Sequence, residues 1–145
     1  MATEFKKNHG QVCETWRLLG AVNRATYLQE AAPRLALLTG DANKAKRLFT
    51  HLSSAAPMLD EEHLMTGATG EANDLYVTGR GKTMVIGGES ARAMAVLGQL
   101  LAALLTGNEV ILHCPSQDEM CIEAAKILYE SGISDDVLSV ANDSK

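Results

Sequence analysis

From Thr83 to Ala141 the chain alternates short apolar runs with longer segments at helical spacing, and this alternation restricts the possible folds more than any other feature of the sequence. Thr83-Met84-Val85-Ile86-Gly87 is a strand-like run ending in paired glycines, and the apolar stretch from Glu89 to Thr106 has the length of a helix. Gly107-Asn108 stops it, and Glu109-Val110-Ile111-Leu112-His113 reads as the second strand. Ser116 to Glu130 reads as the second helix, Gly132 ends it, and Val137 to Ala141 is a third strand. Strands alternating with helices of this length imply a parallel sheet with crossover helices, and such crossovers are right-handed. The fold class is therefore α/β. It is a Rossmann-like half with parallel βαβαβ order, preceded by N-terminal helices and a hairpin-like arm. At 145 residues one domain is expected, with a helical part over 1–65, a loop and arm over 66–82 and the Rossmann-like part over 83–145.

Upstream, apolar residues Val12, Trp16, Leu19, Leu28, Ala31, Leu35 and Leu38 fall mostly three or four apart and predict one amphipathic stripe. Pro33 lacks an amide proton, so a kink or break near Ala31 is expected. Gly40 suits a helix C-cap and Asp41 the N-cap of a helix reaching Leu52, which Ser53 to Pro57 should end. A further helical turn is expected over 59–65. Thr66 to Asn73 reads as a loop, and Leu75-Tyr76-Val77-Thr78 as a strand that Gly79-Arg80-Gly81 turns into the one at Thr83. Ser116-Gln117-Asp118-Glu119 is a capping box, placing Cys121, Ala124, Ala125 and Leu128 on an inward face.

Charge and cysteine usage narrow the functional classes. Thirteen basic against eighteen acidic residues give a net charge of −5 with no basic run, which argues against a nucleic-acid partner. The apolar helix is too short for a bilayer and contains Arg92, Gly98 and Gln99, so no membrane span is expected. Cys13, Cys114 and Cys121 form no CxxC pair, and their odd number fits reduced thiols in a cytoplasmic protein. The N-terminus has no apolar segment behind its charges, so no signal peptide is read, and Met1 and the polar ending Asn142 to Lys145 have the character of natural termini.

Few residues invite a chemical reading. Gly81-Lys82-Thr83 matches the end of a phosphate-binding loop, but that motif needs a glycine where Tyr76 stands and a helix where a strand is read. Gly87-Gly88-Glu89-Ser90 lies between first strand and first helix, where a pyrophosphate would meet a helix N-terminus. There is no GxGxxG, and Glu89 would oppose a bound phosphate, so a tight turn is the plain reading. Should a nucleotide bind, Gly87, Gly88 and Ser90 are the candidate cofactor residues, joined by His113 at the end of the second strand. His113-Cys114 is not read as a metal site, because successive strand residues point to opposite faces. His9, His51 and His63 read as isolated and solvent-facing, Cys13 has no defined context, and no catalytic or metal-ligand set is assigned.

The segment Leu101-Ala102-Ala103-Leu104-Leu105-Thr106-Gly107-Asn108-Glu109-Val110-Ile111-Leu112 resembles the "ALAAGNTVVL" segment of the aldehyde dehydrogenase superfamily. Leu128-Tyr129-Glu130-Ser131-Gly132-Ile133 followed by Val137-Leu138-Ser139-Val140 is similar to its "AGLPxGVxNVV" segment. Trp16, Arg24-Ala25-Thr26-Tyr27-Leu28 and Ala31-Ala32 resemble its N-terminal helix, so the likeness runs from about Trp16 to Ala141. Thr66-Gly67-Ala68-Thr69-Gly70-Glu71-Ala72-Asn73 looks like the "PGPTGExN" loop in the C-terminal region of bifunctional proline utilisation A proteins, which join proline dehydrogenase to 1-pyrroline-5-carboxylate dehydrogenase.

That resemblance implies a truncated nucleotide-binding domain, with NAD as the family cofactor. It also implies a role like that of the degenerate C-terminal domain of those proteins, which helps assembly and closes the channel between the two sites. Catalysis in the superfamily uses a cysteine thiolate and a hydride transfer to nicotinamide. The domain carrying that cysteine and the general-base glutamate has no counterpart in this sequence, and Cys114 and Cys121 align with the nucleotide-domain segment. Gly87 to Ser90 replaces the family's Pro-Trp-Asn segment, and His113 or Cys114 its ribose-contacting lysine. The expectation is a pseudoenzyme of proline and glutamate metabolism that works by homo-oligomerisation or by docking to a partner enzyme, with the arm at 74–83 as the expected contact. The alternatives are a 1-pyrroline-5-carboxylate dehydrogenase subunit or a small NAD-binding module.

Overall fold

The computed structural model describes residues 8–65, 70, 73–87, 92–115 and 118–141. Its centre is a three-stranded parallel sheet of β3 (Lys82–Ile86), β4 (Glu109–His113) and β5 (Leu138–Val140), in that spatial order. Val85 pairs with Leu112 and Leu112 with Val140, so one row of side chains crosses all three strands. Helix α4 (Ala93–Leu105) links β3 to β4, and α5 (Asp118–Glu130) links β4 to β5. Right-handed crossovers between strands in sequential order put both helices on the same face. Burial agrees with this: Val85, Val110, Leu112 and Leu138 are buried, while Met84 and Ile86 are 54% and 59% exposed on the other face.

Helices α1 (His9–Leu18), α2 (Ala21–Thr39) and α3 (Ala42–Asp60) precede the sheet. Helix α2 packs on α4 and α5. Helix α4 is therefore sandwiched, and it buries Val96, Leu97, Leu100, Leu101, Leu104 and Leu105 on more than one stripe. Ala21, Ala25 and Ala31 are buried on α2, where small side chains let helices approach closely.

Several local expectations hold. Gly40 adopts the left-handed conformation at the end of α2, and the Asp41 carboxylate accepts from the Lys44 amide at 3.0 Å. β4 spans Glu109–His113 as read. Others are corrected. The stripe from Val12 to Leu38 belongs to two helices, separated at Gly20, whose φ of +89° breaks the helical path. Helix α2 runs through Pro33, and α3 through Pro57 to Asp60. Both prolines are on exposed helix faces, where the carbonyls deprived of partners can meet water, while buried Ala31, Leu35 and Ala56 hold the helices in place. Helix α4 starts at Ala93, with Arg92 extended before it, rather than at Glu89. The capping residues Ser116 and Gln117 lie outside the described residues.

The hairpin also moves. β1 (His63–Met65) pairs antiparallel with β2 (Asn73–Leu75), so the expected helical turn over 59–65 ends in a strand. Residues 76–80 form no strand. The Asn108 side-chain oxygen Oδ1 accepts from the Arg80 and Gly81 amides at 2.7 and 3.2 Å, which removes those donors from any hairpin ladder. Gly79 passes so close to the Gly107 carbonyl that a Cβ there would lie 2.7 Å from its oxygen.

Candidate functional site

The carboxyl ends of β3 and β4 bring two of the predicted residues together. The Gly87 amide donates to the His113 carbonyl at 2.8 Å, extending the β3–β4 pairing by one bond. Gly87 is buried, and a Cβ on it would lie 3.0 Å from Cys114 Sγ and 3.2 Å from Val96 Cγ2. This glycine is required by the packing of β3 against α4 and Cys114. Its amide is already committed to backbone and is not offered to a phosphate. Gly88 and Ser90 lie outside the described residues. His113 is half-buried on the open face beside Ile86, with Nδ1 3.3 Å from the Ala141 carbonyl. Cys114 is 1% exposed, in the core that the helices cover, so the two neighbours point apart as the pleat requires. Cys121 is also buried, in α5.

A second cluster gathers where α1 crosses the opposite rim of the sheet. Asn8 caps α1, its side chain accepting from the Gly10 amide at 3.1 Å. His9 follows, with Nδ1 2.9 Å from Asp136 Oδ1 and Nε2 2.9 Å from Glu109 Oε1. One turn on, Cys13 Sγ lies 3.7 Å from His9 Nε2 and donates to the Asp136 carbonyl at 3.4 Å. Lys82 Nζ reaches to 3.9 Å from Glu109 Oε1. Hydrogen bonds to Asp136, then to Glu109, raise the His9 pKa. Burial first, and then the Glu109 charge, push the Cys13 thiol up to about 11. His9 is therefore not isolated, and Cys13 has a defined context. The available signal was the i, i+4 spacing of His9 and Cys13, which puts both on one helix face. Glu109 and Asp136 could be added only by the fold. His51 is exposed, as read.

A buried polar set that the sequence did not flag holds the helices over the sheet. Arg24 is 6% exposed, and its Nε donates to the Leu105 carbonyl at 2.7 Å. Its Nη1 donates to the Trp16 and Arg17 carbonyls at 3.2 and 2.9 Å. One guanidinium thus serves the carbonyl ends of α1 and α4, where helix dipoles favour a cation. Burial lowers its pKa. Trp16 Nε1 donates to the Leu104 carbonyl at 3.2 Å, and its ring is tilted against Tyr27 with centroids 5.7 Å apart.

The fold has counterparts among solved structures. The fold is aldehyde-dehydrogenase-like. A proline utilisation A structure with proline bound in remote sites matches 93% of this chain with a TM-score of 0.69 at 24% identity. Proline utilisation A from Bdellovibrio bacteriovorus matches 92% with a TM-score of 0.71 at 18% identity. An NAD-dependent benzaldehyde dehydrogenase from Corynebacterium glutamicum matches 90% with a TM-score of 0.65 at 18% identity. The chain spans 17% of each of those two proline utilisation A chains and 33% of the benzaldehyde dehydrogenase. No protein-family profile and no curated protein sequence matches it. Among the described residues, no helix is long and apolar enough to cross a membrane.

Proposed function

We propose that this chain is a non-catalytic aldehyde-dehydrogenase-like protein of proline and glutamate metabolism, related to 1-pyrroline-5-carboxylate dehydrogenase. It acts in the cytoplasm as a single domain, by self-association or by docking to a partner enzyme. The observation that carries the docking role is the open sheet face, where Met84 and Ile86 stand more than half exposed beside Ile111 and His113. Fully burying one such side chain contributes about 1.5–3 kcal/mol, so a partner that covers the exposed halves of Met84 and Ile86 gains about one such increment from the pair. The face lies on an edge strand, β3, which offers a further row of backbone groups.

The thiols support the non-catalytic part of the reading. An aldehyde dehydrogenase needs an accessible thiolate. Cys114 and Cys121 are buried, and Cys13 is held as a thiol by burial and neighbouring carboxylates. Size-exclusion chromatography with light scattering tests the association. The wild type should run as a dimer or larger, or shift when 1-pyrroline-5-carboxylate dehydrogenase is added, and Ile86→Glu should abolish either behaviour. A chain monomeric under both conditions refutes it. NAD reduction by the purified chain with 1-pyrroline-5-carboxylate would refute the non-catalytic role.

A second reading, a small nucleotide-binding module, draws on His113, which stands at the carboxyl end of β4 where parallel sheets take ligands. Calorimetric titration with millimolar NAD decides it: a saturable heat supports the site, and no heat removes it.

A further inference from the structure

The cluster at the α1 rim has a donor set that neither the open sheet face nor the strand ends use. Among the described residues, His9, Cys13 and Glu109 each offer one ligand atom, and the three atoms lie within 4.8 Å of one another. They come from two elements far apart in sequence, α1 and the first residue of β4. We propose that His9 Nε2, Cys13 Sγ and Glu109 Oε1 bind a single divalent, thiophilic metal ion of the zinc class, which pins α1 to the rim of the sheet.

The spacing supports this. In a tetrahedral zinc site with Zn–N of about 2.05 Å and Zn–S of about 2.3 Å, nitrogen and sulfur stand about 3.6 Å apart. His9 Nε2 and Cys13 Sγ are 3.7 Å apart. The corresponding nitrogen–oxygen edge is about 3.3 Å. His9 Nε2 and Glu109 Oε1, now 2.9 Å apart, need only separate by a few tenths of an ångström as the ion replaces their hydrogen bond. The other imidazole nitrogen is already engaged: Nδ1 is 2.9 Å from Asp136 Oδ1. A carboxylate behind a ligating histidine fixes its tautomer, leaving Nε2 as the metal-facing lone pair. Asp136 is thus a positioning residue. The thiolate makes the site softer than magnesium or calcium prefer, which selects zinc or its spectroscopic substitute cobalt. On binding, the Cys13 thiol proton leaves to solvent and sulfur supplies the electron pair. His9 is half exposed, so the ion has a path in, and a water completes the fourth position. Lys82 is mostly exposed and can turn away from Glu109.

The test uses the full chain, stripped with a chelator and titrated with Co²⁺ and, separately, with Zn²⁺ against a chromophoric competitor. One equivalent of metal per chain is expected, with a thiolate-to-cobalt charge-transfer band in the near ultraviolet. Cys13→Ser should remove that band. His9→Ala should weaken zinc binding at least 100-fold, and Asp136→Asn about 10–100-fold. Circular dichroism of each stripped variant, matching that of the stripped wild type, ensures that a loss of binding is not a loss of fold. No uptake by the wild type overturns the proposal, as does a charge-transfer band that survives in Cys13→Ser. Neither result bears on the sheet-face association, which is read by particle size.

Discussion

The two faces of the parallel sheet carry residues of similar hydrophobicity under opposite conditions. On one face Val85, Val110, Leu112 and Leu138 lie beneath α4 and α5 and are buried. On the other, Met84 and Ile86 are open to solvent among the described residues. A Rossmann-like sheet is ordinarily apolar on both faces because helices cover both. Among the described residues, this chain keeps apolar side chains on the second face with no helix over them. The covered face shows what holds the fold together, and the open face is the surface proposed above for a partner.

The sharpest way to break this comparison is to truncate one residue from each face. Leu112→Ala should lower unfolding stability by about 2–5 kcal/mol, whereas Ile86→Ser should change the isolated chain by no more than about 0.5 kcal/mol. Urea denaturation measures both, and equal losses would mean that the open face is covered within the chain. Next, Arg24→Met should cost about 3 kcal/mol, because the Leu105, Trp16 and Arg17 carbonyls lose their buried donor. The same denaturation series would show it.

Smaller is Asp60→Ala. The Asp60 carboxylate ends α3 and accepts from the Ala21 and Val22 amides at 2.6 and 2.9 Å, capping α2 in place of Gly20, which has no side chain. A loss of about 1 kcal/mol is expected, read as a lower melting temperature. The smallest effect belongs to His9. Its folded pKa is raised above the ordinary value of 6.5 by Asp136 and Glu109. Its contribution is therefore complete below pH 6.5 and is lost as pH rises through the folded pKa. In metal-free protein, a melting profile from pH 6 upward should fall more for the wild type than for His9→Gln.

The legible parts of the sequence were those where local pattern and global packing agree. β4 occupies the residues its short apolar run after Gly107-Asn108 marks, and the Gly40-Asp41 junction forms from its own chemistry. Pro33 and Pro57 misled because a local helix penalty is outweighed when the flanking turns are packed. The arm at 74–83 misled because the Arg80 and Gly81 amides go to Asn108, a partner 27 or more residues away. The candidate site divides in the same way. Gly87 and His113 could be placed at strand ends from the alternation of elements. Arg24 and the His9 cluster could not, since their partners lie 81 and 100 residues along the chain.

The sequence by itself determined the order of strands and helices, because hydrophobic period and turn residues act over a few neighbours. It thereby determined that the sheet is parallel. Only the tertiary structure decided which face of that sheet stays open, what the Arg24 guanidinium holds, and that His9 and Cys13 meet Glu109 and Asp136. Those outcomes depend on which distant surfaces close on one another, and residue spacing along a chain does not encode the direction from which a remote side chain arrives.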